Sequence, residues 1–464
     1  MTNNSAARSD AERSDLVYAL EDKPPFFNSL LSALTHLLAL FVPMVAPALV
    51  VGGALGLKAE VTAYLVSMSM VASGVGTYIQ VHRFGVIGSG LLSIQSVNFS
   101  FVTVMIALGL EMKHGGMSEN TMISTLLGVS FVGAFLVIGA SWLLPFLRKV
   151  ITPTVSGVVV LMIGLSLIHV GITDYGGGLA AKANHAFGSW SNLGLSTLVL
   201  FIVLLFNCFK NPWWRMAGIA VGLTTGYIIA LFMGIVDFSN LQNLPLITIP
   251  IPFKYGFSFD WHAFMVAGTI YLLSVFEAVG DLTATAMISN LPVDGPEYTS
   301  RLRGGVMADG LVSVIATVLG SLPLTTFAQN NGVIQMTGVA SRYIGKYIAV
   351  ILILLGLFPW VGGIFTTIPS PVLGGAMVVM FGLIVTAGIR IIITAGIKRR
   401  EAIICATSLG LGLGVAFEPE VFAQLPILFQ NPICMGGIVA VVLNLVLPYD
   451  HSETAVYLSD NLPH

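Results

Sequence analysis

Two acidic side chains, Glu277 and Asp281, stand four residues apart inside the apolar stretch SVFEAVGDLTATAM. Because residues four apart share a helix face, both carboxyl groups are predicted on one side of a helix. An acid at the bilayer centre costs about 2.5–3.5 kcal/mol on insertion scales, so such acids face the protein interior or a water-filled cavity. The pair indicates a site that accepts hydrogen bonds from a polar solute and carries protons. A structural pair that is hydrogen-bonded to neighbouring helices is the alternative.

Further polar groups follow this pair along the chain. Asp309 lies among small residues in RLRGGVMADGLVSV, and is predicted either to join a proton pathway or to tether broken backbone. Gln329 and Asn330 follow the Pro-bearing stretch LPLTTFA. A carboxamide offers a donor and an acceptor together, which suits a ring with both C=O and N–H groups. We assign Gln329 to the substrate and Asn330 to helix architecture or site shape, and leave Asn331 unassigned.

A matching polar set, Gln95, Asn98 and Phe99, occurs in the first half of the chain within SIQSVNFSF. Phe99 could stack on a flat heterocycle, although a phenylalanine in a membrane segment is more often core or lipid-facing. His36 is alone in an apolar stretch and is either an interhelical hydrogen-bonding group or a gating or proton-carrying group. Asn431, which precedes Pro432, is similarly ambiguous.

The composition shows what kind of elements must position these groups. Of the 464 residues, 56% are hydrophobic and 9% are charged, whereas a soluble domain carries about a quarter charged residues. A polytopic helical membrane protein is therefore predicted. The net charge of −2 does not indicate the basic surface of a nucleic-acid-binding protein. The three scattered cysteines predict neither a metal site nor a disulfide framework. No HExxH motif is present, so we do not expect an enzyme.

Fourteen hydrophobic segments are predicted, and the loop charges fix their orientation. With the N-terminus in the cytoplasm, most loop Arg and Lys residues lie inside, and the outer loops carry only four lysines, as the positive-inside rule requires. Both termini are then cytoplasmic, and the basic cluster at 389–401 is interpreted as a cytoplasmic anchor rather than a site. The segments are 29–54, 60–80, 84–110, 121–146, 151–172, 193–209, 214–236, 261–289, 304–320, 329–342, 346–364, 368–394, 401–416 and 431–448.

Polar residues interrupt the third segment at SIQSVNFSF and the beginning of the tenth at LPLTTFAQNNG, and the second stretch also carries a proline. The two segments correspond in position if the chain consists of two repeats of seven segments. Paired interrupted segments in two halves are a sequence pointer to a transporter site, because unwound backbone at membrane depth must be buried or line a cavity. The transporter domain is expected to span 28–448, between a polar cytoplasmic N-terminal tail (1–27) and a cytoplasmic C-terminal tail (449–464).

The stretch QNNGVIQMTGVASR (329–342) carries a specific resemblance, supported by SVFEAVGDLTATAM, QSVNFSF and the Thr35–His36 pair. From about residue 16 to 447 the chain resembles the nucleobase–ascorbate transporter family, also called nucleobase–cation symporters of the second type, and in particular its bacterial xanthine permeases. The resemblance implies an all-α fold of seven plus seven inverted transmembrane segments, with short antiparallel strands in segments 3 and 10. It also implies a core domain (28–146 and 261–342) and a gate domain (151–236 and 346–448).

The resemblance also implies roles for individual residues. Glu277 and Gln329 would bind the purine, while Phe99 and Ala328 would contribute backbone groups and, for Phe99, stacking. Asp309 and Asp281 would be essential carboxylates, with Asp309 tied to proton coupling. His36 and Asn98 would shape affinity and selectivity. Asn330 would support the site, and Asn431 would tune the gate side. Relatives resembling uracil permeases carry glutamate in place of Gln329 and histidine in place of Asp281, so both positions favour a purine.

The expected function is proton-coupled import of xanthine across a bacterial inner membrane, without any cofactor beyond the proton gradient. A homodimer is implied by the resemblance. Uric acid, guanine or uracil as the substrate, or a nucleobase uniporter without coupling, are the alternatives. A sulfate-type anion transporter is disfavoured by the acidic centre, since an anion site needs basic groups or helix N-termini.

Overall fold

The chain is mainly helical in the computed structural model, which describes residues 16–97, 99–147, 152–210, 212–238, 241, 246–293, 295–394 and 396–448. The helices are α1 (Phe26–Leu55), α2 (Ala59–His82), α3 (Phe99–His114), α4 (Glu119–Leu147), α5 (Pro153–Tyr175), α6 (Gly178–Ala183), α7 (Trp190–Asn207), α8 (Pro212–Phe232), α9 (Trp261–Ile288), α10 (Gly295–Val318), α11 (Gln329–Thr337), α12 (Arg342–Leu357), α13 (Pro359–Thr366), α14 (Ser370–Thr394), α15 (Arg399–Phe417), α16 (Pro419–Phe422) and α17 (Pro432–Val446), with a 3-10 turn at Ile427–Gln430.

Each of the fourteen predicted hydrophobic segments overlaps a helix, so the predicted all-α membrane fold is confirmed. Among the described residues, six helices are long and apolar enough to cross a membrane. A seventh span results if α12 and α13, which are bent by 74° at their junction, are counted together. The third and tenth segments are built differently from a plain helix.

A short strand lies inside the third segment, a second one lies just before the predicted start of the tenth segment at residue 329, and each is followed closely by a helix. Strand β1 (Gln95–Val97) precedes α3, and strand β2 (Leu324–Thr326) precedes α11. The strands pair in antiparallel fashion, with Gln95 opposite Thr326 and Val97 opposite Leu324. Both strands are fully buried, and the pairing satisfies backbone groups that lipid could not. The predicted antiparallel strands in segments 3 and 10 are confirmed, and the strand–helix unit occurs once in each half.

Glycines allow the helices around these strands to approach closely. A Cβ on Gly356 of α12 would lie 2.6 Å from the carbonyl oxygen of Ser67 in α2, and one on Gly74 would lie 2.6 Å from that of Ala349. Such backbone contact through small residues is typical of helix packing in membranes. Helix α12 packs on α2 of the predicted core. The predicted domain boundary, between residues 342 and 346, falls inside this helix.

Candidate functional site

Asp309 of α10 lies at the centre of a polar cluster around the two strands. Its side chain is 2% exposed. Oδ1 accepts hydrogen bonds from Gln95 Nε2 at 2.7 Å and, at a longer 3.4 Å, from Gln80 Nε2. Oδ2 accepts one from Thr325 Oγ1 at 2.7 Å and a longer one from the Thr326 N–H at 3.4 Å. One buried carboxyl group thus joins α2, α10 and both strands.

Asp281 of α9 belongs to the same cluster. It is buried, and its Oδ2 accepts a hydrogen bond from Thr326 Oγ1 at 3.3 Å. Thr326 therefore contacts Asp281 through its hydroxyl and Asp309 through its backbone N–H. The carbonyl of Asp281 accepts from Thr285 Oγ1 at 2.8 Å, and the same hydroxyl lies 2.6 Å from Asn331 Oδ1. Asn331, unassigned from sequence, thereby joins α11 to α9.

Glu277 is the most accessible of the three acids, because it is half-buried whereas Asp281 and Asp309 are buried. Its Oε2 accepts a 2.7 Å hydrogen bond from the hydroxyl of Ser100, in the first turn of α3. The N-terminal end of a helix carries a positive partial charge, which favours a carboxylate there. The carboxyl group of Glu277 is therefore positioned by α9 and by the strand–helix junction of the first half.

Phe99, the first residue of α3, reaches across to the second half of the chain. Its ring is buried and lies edge-on against Phe381 of α14, with the ring centroids 5.4 Å apart. Gln329, the first residue of α11, and Ala328, its N-cap, are both half-buried. Glu277, Phe99 and Gln329 thus all lie where α9 passes the two strand–helix junctions.

His36 and Asn330 form a buried pair that positions α11. His36 Nδ1 lies 2.9 Å from Asn330 Oδ1, and Asn330 Nδ2 donates to the Leu92 carbonyl at 2.6 Å. The histidine is 0% exposed and the asparagine 1% exposed. His36 makes the interhelical hydrogen bond that was one of its two predicted roles, and the pair ties α1 and the chain before β1 to α11.

One predicted site residue stands apart from this cluster, and another lies outside the described residues. Asn431 is the N-cap of α17, where its Oδ1 accepts from the backbone N–H groups of Ile433 at 3.0 Å and Cys434 at 3.2 Å. Its side-chain oxygen therefore serves the helix end, and its role in gating stays a prediction. Asn98 lies outside the described residues.

Sequence reasoning missed several members of the cluster. Ser100, Thr325 and Thr326 lie inside the two interrupted segments, so the polar character of those segments was a usable signal. Gln80 gave no such signal, because it is one of several polar residues spread along the long helix α2. Its Oε1 accepts from the Ser89 N–H at 3.0 Å while its amide reaches Asp309.

A cavity of about 710 Å³ lies beyond the acids. We call it the vestibule. It is lined by the C-terminal third of α9 from Val279 to Ile288, the start of α5 at Ser156, Tyr298 of α10, Gln335 of α11 and Arg390 of α14. Gly280 in its wall is three residues from Glu277 on the same helix, so the vestibule begins one helical turn from the acidic cluster.

Comparisons with known proteins agree with this architecture. Residues 27–421 match the Permease family. The chain is 68% identical over 447 residues to the xanthine permease XanQ of Escherichia coli K12, covering 96% of each protein. It is 44% identical to the xanthine permease XanP of the same strain, covering 96% of this chain and 97% of XanP. A putative purine permease of Clostridium perfringens is 34% identical, with 93% of both chains covered.

Solved structures share the fold at much lower sequence identity. The transmembrane domain of the cyanobacterial bicarbonate transporter BicA is 14% identical with a TM-score of 0.56, covering 92% of this chain and 99% of that one. SLC26A9 is 11% identical with a TM-score of 0.61, covering 95% of this chain and 69% of that one. The fold is thus that of membrane transporters. The match over residues 27–421 and the identity to the permeases together show that this multi-pass membrane protein belongs to the nucleobase–ascorbate transporter family.

Proposed function

We propose that the protein is a proton-coupled symporter that imports xanthine across the bacterial inner membrane. The observation that carries the proposal is the 68% identity, over almost the whole chain, to a xanthine permease. The cluster of three acids at the strand–helix junctions supports it, because ionisable residues inside membrane proteins mark substrate and proton pathways.

In this proposal the half-buried side chains contact the purine. The Glu277 carboxylate accepts a ring N–H, and the Gln329 carboxamide pairs with adjacent C=O and N–H groups of the ring. Backbone groups of Phe99 and Ala328 complete the site, and the Phe99 ring packs against the purine. Xanthine, a planar ring with alternating C=O and N–H groups, has the complementary pattern.

The two buried acids are proposed to carry the proton. Protonation of a buried carboxylate removes the free-energy cost of an uncompensated charge and so favours a different packing of the helices. Thr326 is a hydrogen-bond partner of both acids. Protonation of Asp309 would therefore alter a contact that also positions Asp281. Each proton that enters gains about 2.3 kcal/mol per 100 mV of membrane potential, which exceeds the free energy of a tenfold xanthine gradient.

We further propose a core and a gate domain, with α12 and α13 placed in the core. The close packing of α12 on α2 supports this boundary, which lies later than the sequence-based one. Cytoplasmic termini, assembly as a homodimer and the lack of any cofactor other than the proton gradient complete the proposal. The loop charges support the orientation of the termini.

Radiolabelled xanthine accumulation, in cells that lack their own purine permeases, tests the function. We expect concentrative uptake that collapses with a protonophore. Glu277→Gln should abolish uptake at unchanged membrane abundance. Uptake that only equilibrates would indicate a uniporter. Absence of xanthine uptake by protein shown to be in the membrane would instead favour uric acid, guanine or uracil.

A further inference from the structure

The vestibule differs in chemistry from the acidic cluster that it adjoins. Its polar lining residues include Arg390, Gln335, Ser156, Thr283 and Tyr298. Acidic residues are absent from the described residues that line it. The two sites therefore differ in what they can offer a ring: the centre has carboxylates that accept from N–H groups, and the vestibule has Arg390 and Gln335, whose side chains can donate to C=O groups.

The vestibule continues the path along α9. Helix residues three, four and seven apart share one face, so Gly280, Ala284 and Glu277 lie along one side of α9. On α11, Gln335 follows Gln329 by six residues toward the helix end. Two of the lining residues, Met287 (61% exposed) and Arg390, are exposed. A solute that left Glu277 through the vestibule would meet Arg390 among its lining residues.

A hydrogen bond joins two of the residues that line the vestibule, Thr283 of α9 and Tyr298 of α10. Thr283 Oγ1 donates to the Val279 carbonyl at 2.6 Å and lies 2.7 Å from the Tyr298 hydroxyl. This contact fixes α9 against α10 beneath the cavity. The opposite wall comes from α5 and α14, whose residues fall in the proposed gate domain. The vestibule therefore lies between the proposed domains, on the predicted cytoplasmic side.

We propose that the vestibule is a second, weaker purine site, in which Arg390 and Gln335 bind the carbonyl oxygens of the base on its way between the acidic centre and the cytoplasm. The guanidinium is planar, donates to two acceptors at once and stacks on flat rings, which a lysine does not reproduce. The basic cluster at 389–401 thus contains a recognition residue as well as an anchor. The inference rests on the proposed function for the identity of the base.

Protection of an engineered cysteine tests the site directly. Ala284→Cys places a thiol at a half-buried position of the vestibule lining, in protein whose three natural cysteines are replaced, together with Glu277→Gln to remove binding at the centre. Inside-out vesicles are then labelled with a maleimide, with and without millimolar xanthine. We expect xanthine to slow labelling several-fold. Unchanged labelling would overturn the proposal.

Substitutions of basic residues identify the binding group. Arg390→Ala should abolish the protection and Arg390→Lys, which keeps the charge, should weaken it. Arg399→Ala removes a positive charge from the same predicted surface outside the lining and should leave protection intact. Equal protection in every variant, or loss in Arg399→Ala as well, would overturn the role of Arg390. Protection without any xanthine uptake by the unsubstituted protein would instead contradict the proposed import.

Discussion

At the scale of single residues, Thr326 links the two buried acids. Its hydroxyl contacts Asp281 and its backbone N–H contacts Asp309 Oδ2, the oxygen that also accepts from the hydroxyl of the neighbouring Thr325. Each acid therefore depends on the backbone of β2 for its position. Both acids thus contact strand β2. Protonation of either one would alter a hydrogen bond to this strand.

Asp309→Asn tests the coupling. An amide replaces one carboxylate oxygen by an NH2 group, so either the Gln95 amide or the Thr326 N–H then faces another donor and loses its acceptor. Hydrogen bonds to charged groups contribute about 1.5–3 kcal/mol, and we expect accumulation of labelled xanthine to fall by at least about tenfold. Membrane abundance, measured by immunoblot, is the control. Protonophore-sensitive accumulation at the unsubstituted level would remove Asp309 from the proton path.

Gln329→Glu tests substrate contact. The substitution keeps the acceptors but removes the N–H donor, so a purine carbonyl would face a carboxylate. An unsatisfied buried polar group costs about 1–3 kcal/mol, and we expect the KM for xanthine to rise by about tenfold. Competition by other nucleobases should be measured in the same assay. If the KM stays at its original value, the carboxamide does not touch the ring.

At the scale of elements, the short helix α11 is held in place mainly by side chains. Asn330 bonds to His36 of α1 and to the Leu92 carbonyl, and Asn331 bonds to Thr285 of α9. A helix of nine residues has little stability of its own in isolation. These contacts therefore set the position of Gln329 at the beginning of the helix.

Asn330→Ala should destabilise this arrangement. The buried Leu92 carbonyl and His36 Nδ1 would each lose a partner, at about 1–3 kcal/mol per unsatisfied group. We expect a lower melting temperature of the detergent-solubilised protein and weaker xanthine uptake. Asn28→Ala, which changes an exposed asparagine, serves as the matched control and should change stability by less than about 0.5 kcal/mol. Equal melting temperatures for both variants would contradict the structural role of Asn330.

Gly356→Ala tests the packing of α12 on α2. The added methyl group would lie 2.6 Å from the Ser67 carbonyl oxygen and 2.7 Å from Val71. Overpacking of this kind costs about 1–3 kcal/mol, and thermal unfolding reports it. Gly139→Ala on α4 makes the same chemical change where no atom lies within 4 Å. A Gly356→Ala protein as stable as the Gly139→Ala protein would show that the helices separate without cost.

The sequence predicts the elements better than the contacts between them. Polar residues in two apolar segments, with a proline in the second, indicate irregular backbone, but the pairing of Gln95 with Thr326 depends on helices that bring the two segments together. The contact between Gln95 and Asp309 spans 214 residues and leaves no local pattern. Likewise Gln80 resembles any polar residue in a helix until the neighbouring Asp309 is known. Glu277 and Asp281 were recognisable because acids in an apolar stretch are rare.

At the scale of the whole molecule, the proton gradient sets the limit of accumulation. If one positive charge enters with each neutral xanthine, the accumulation ratio should change about tenfold for every 59 mV of membrane potential. Potassium diffusion potentials in proteoliposomes at equal pH on both sides provide the measurement. A ratio that does not respond to the potential would contradict the entry of net charge with xanthine. Proteoliposomes without the protein correct for leakage.

The strand pair also has a consequence for how the protein is made. The ribosome adds about 5–20 residues per second, so the 214 residues between Gln95 and Asp309 take roughly 10–40 s to synthesise. Throughout that interval β1 has been synthesised but its partner strand has not. Lipid cannot satisfy the exposed backbone groups of a lone strand. The first half must therefore be kept near water or shielded by the insertion machinery until the second half arrives, and premature release is a specific hazard of this architecture.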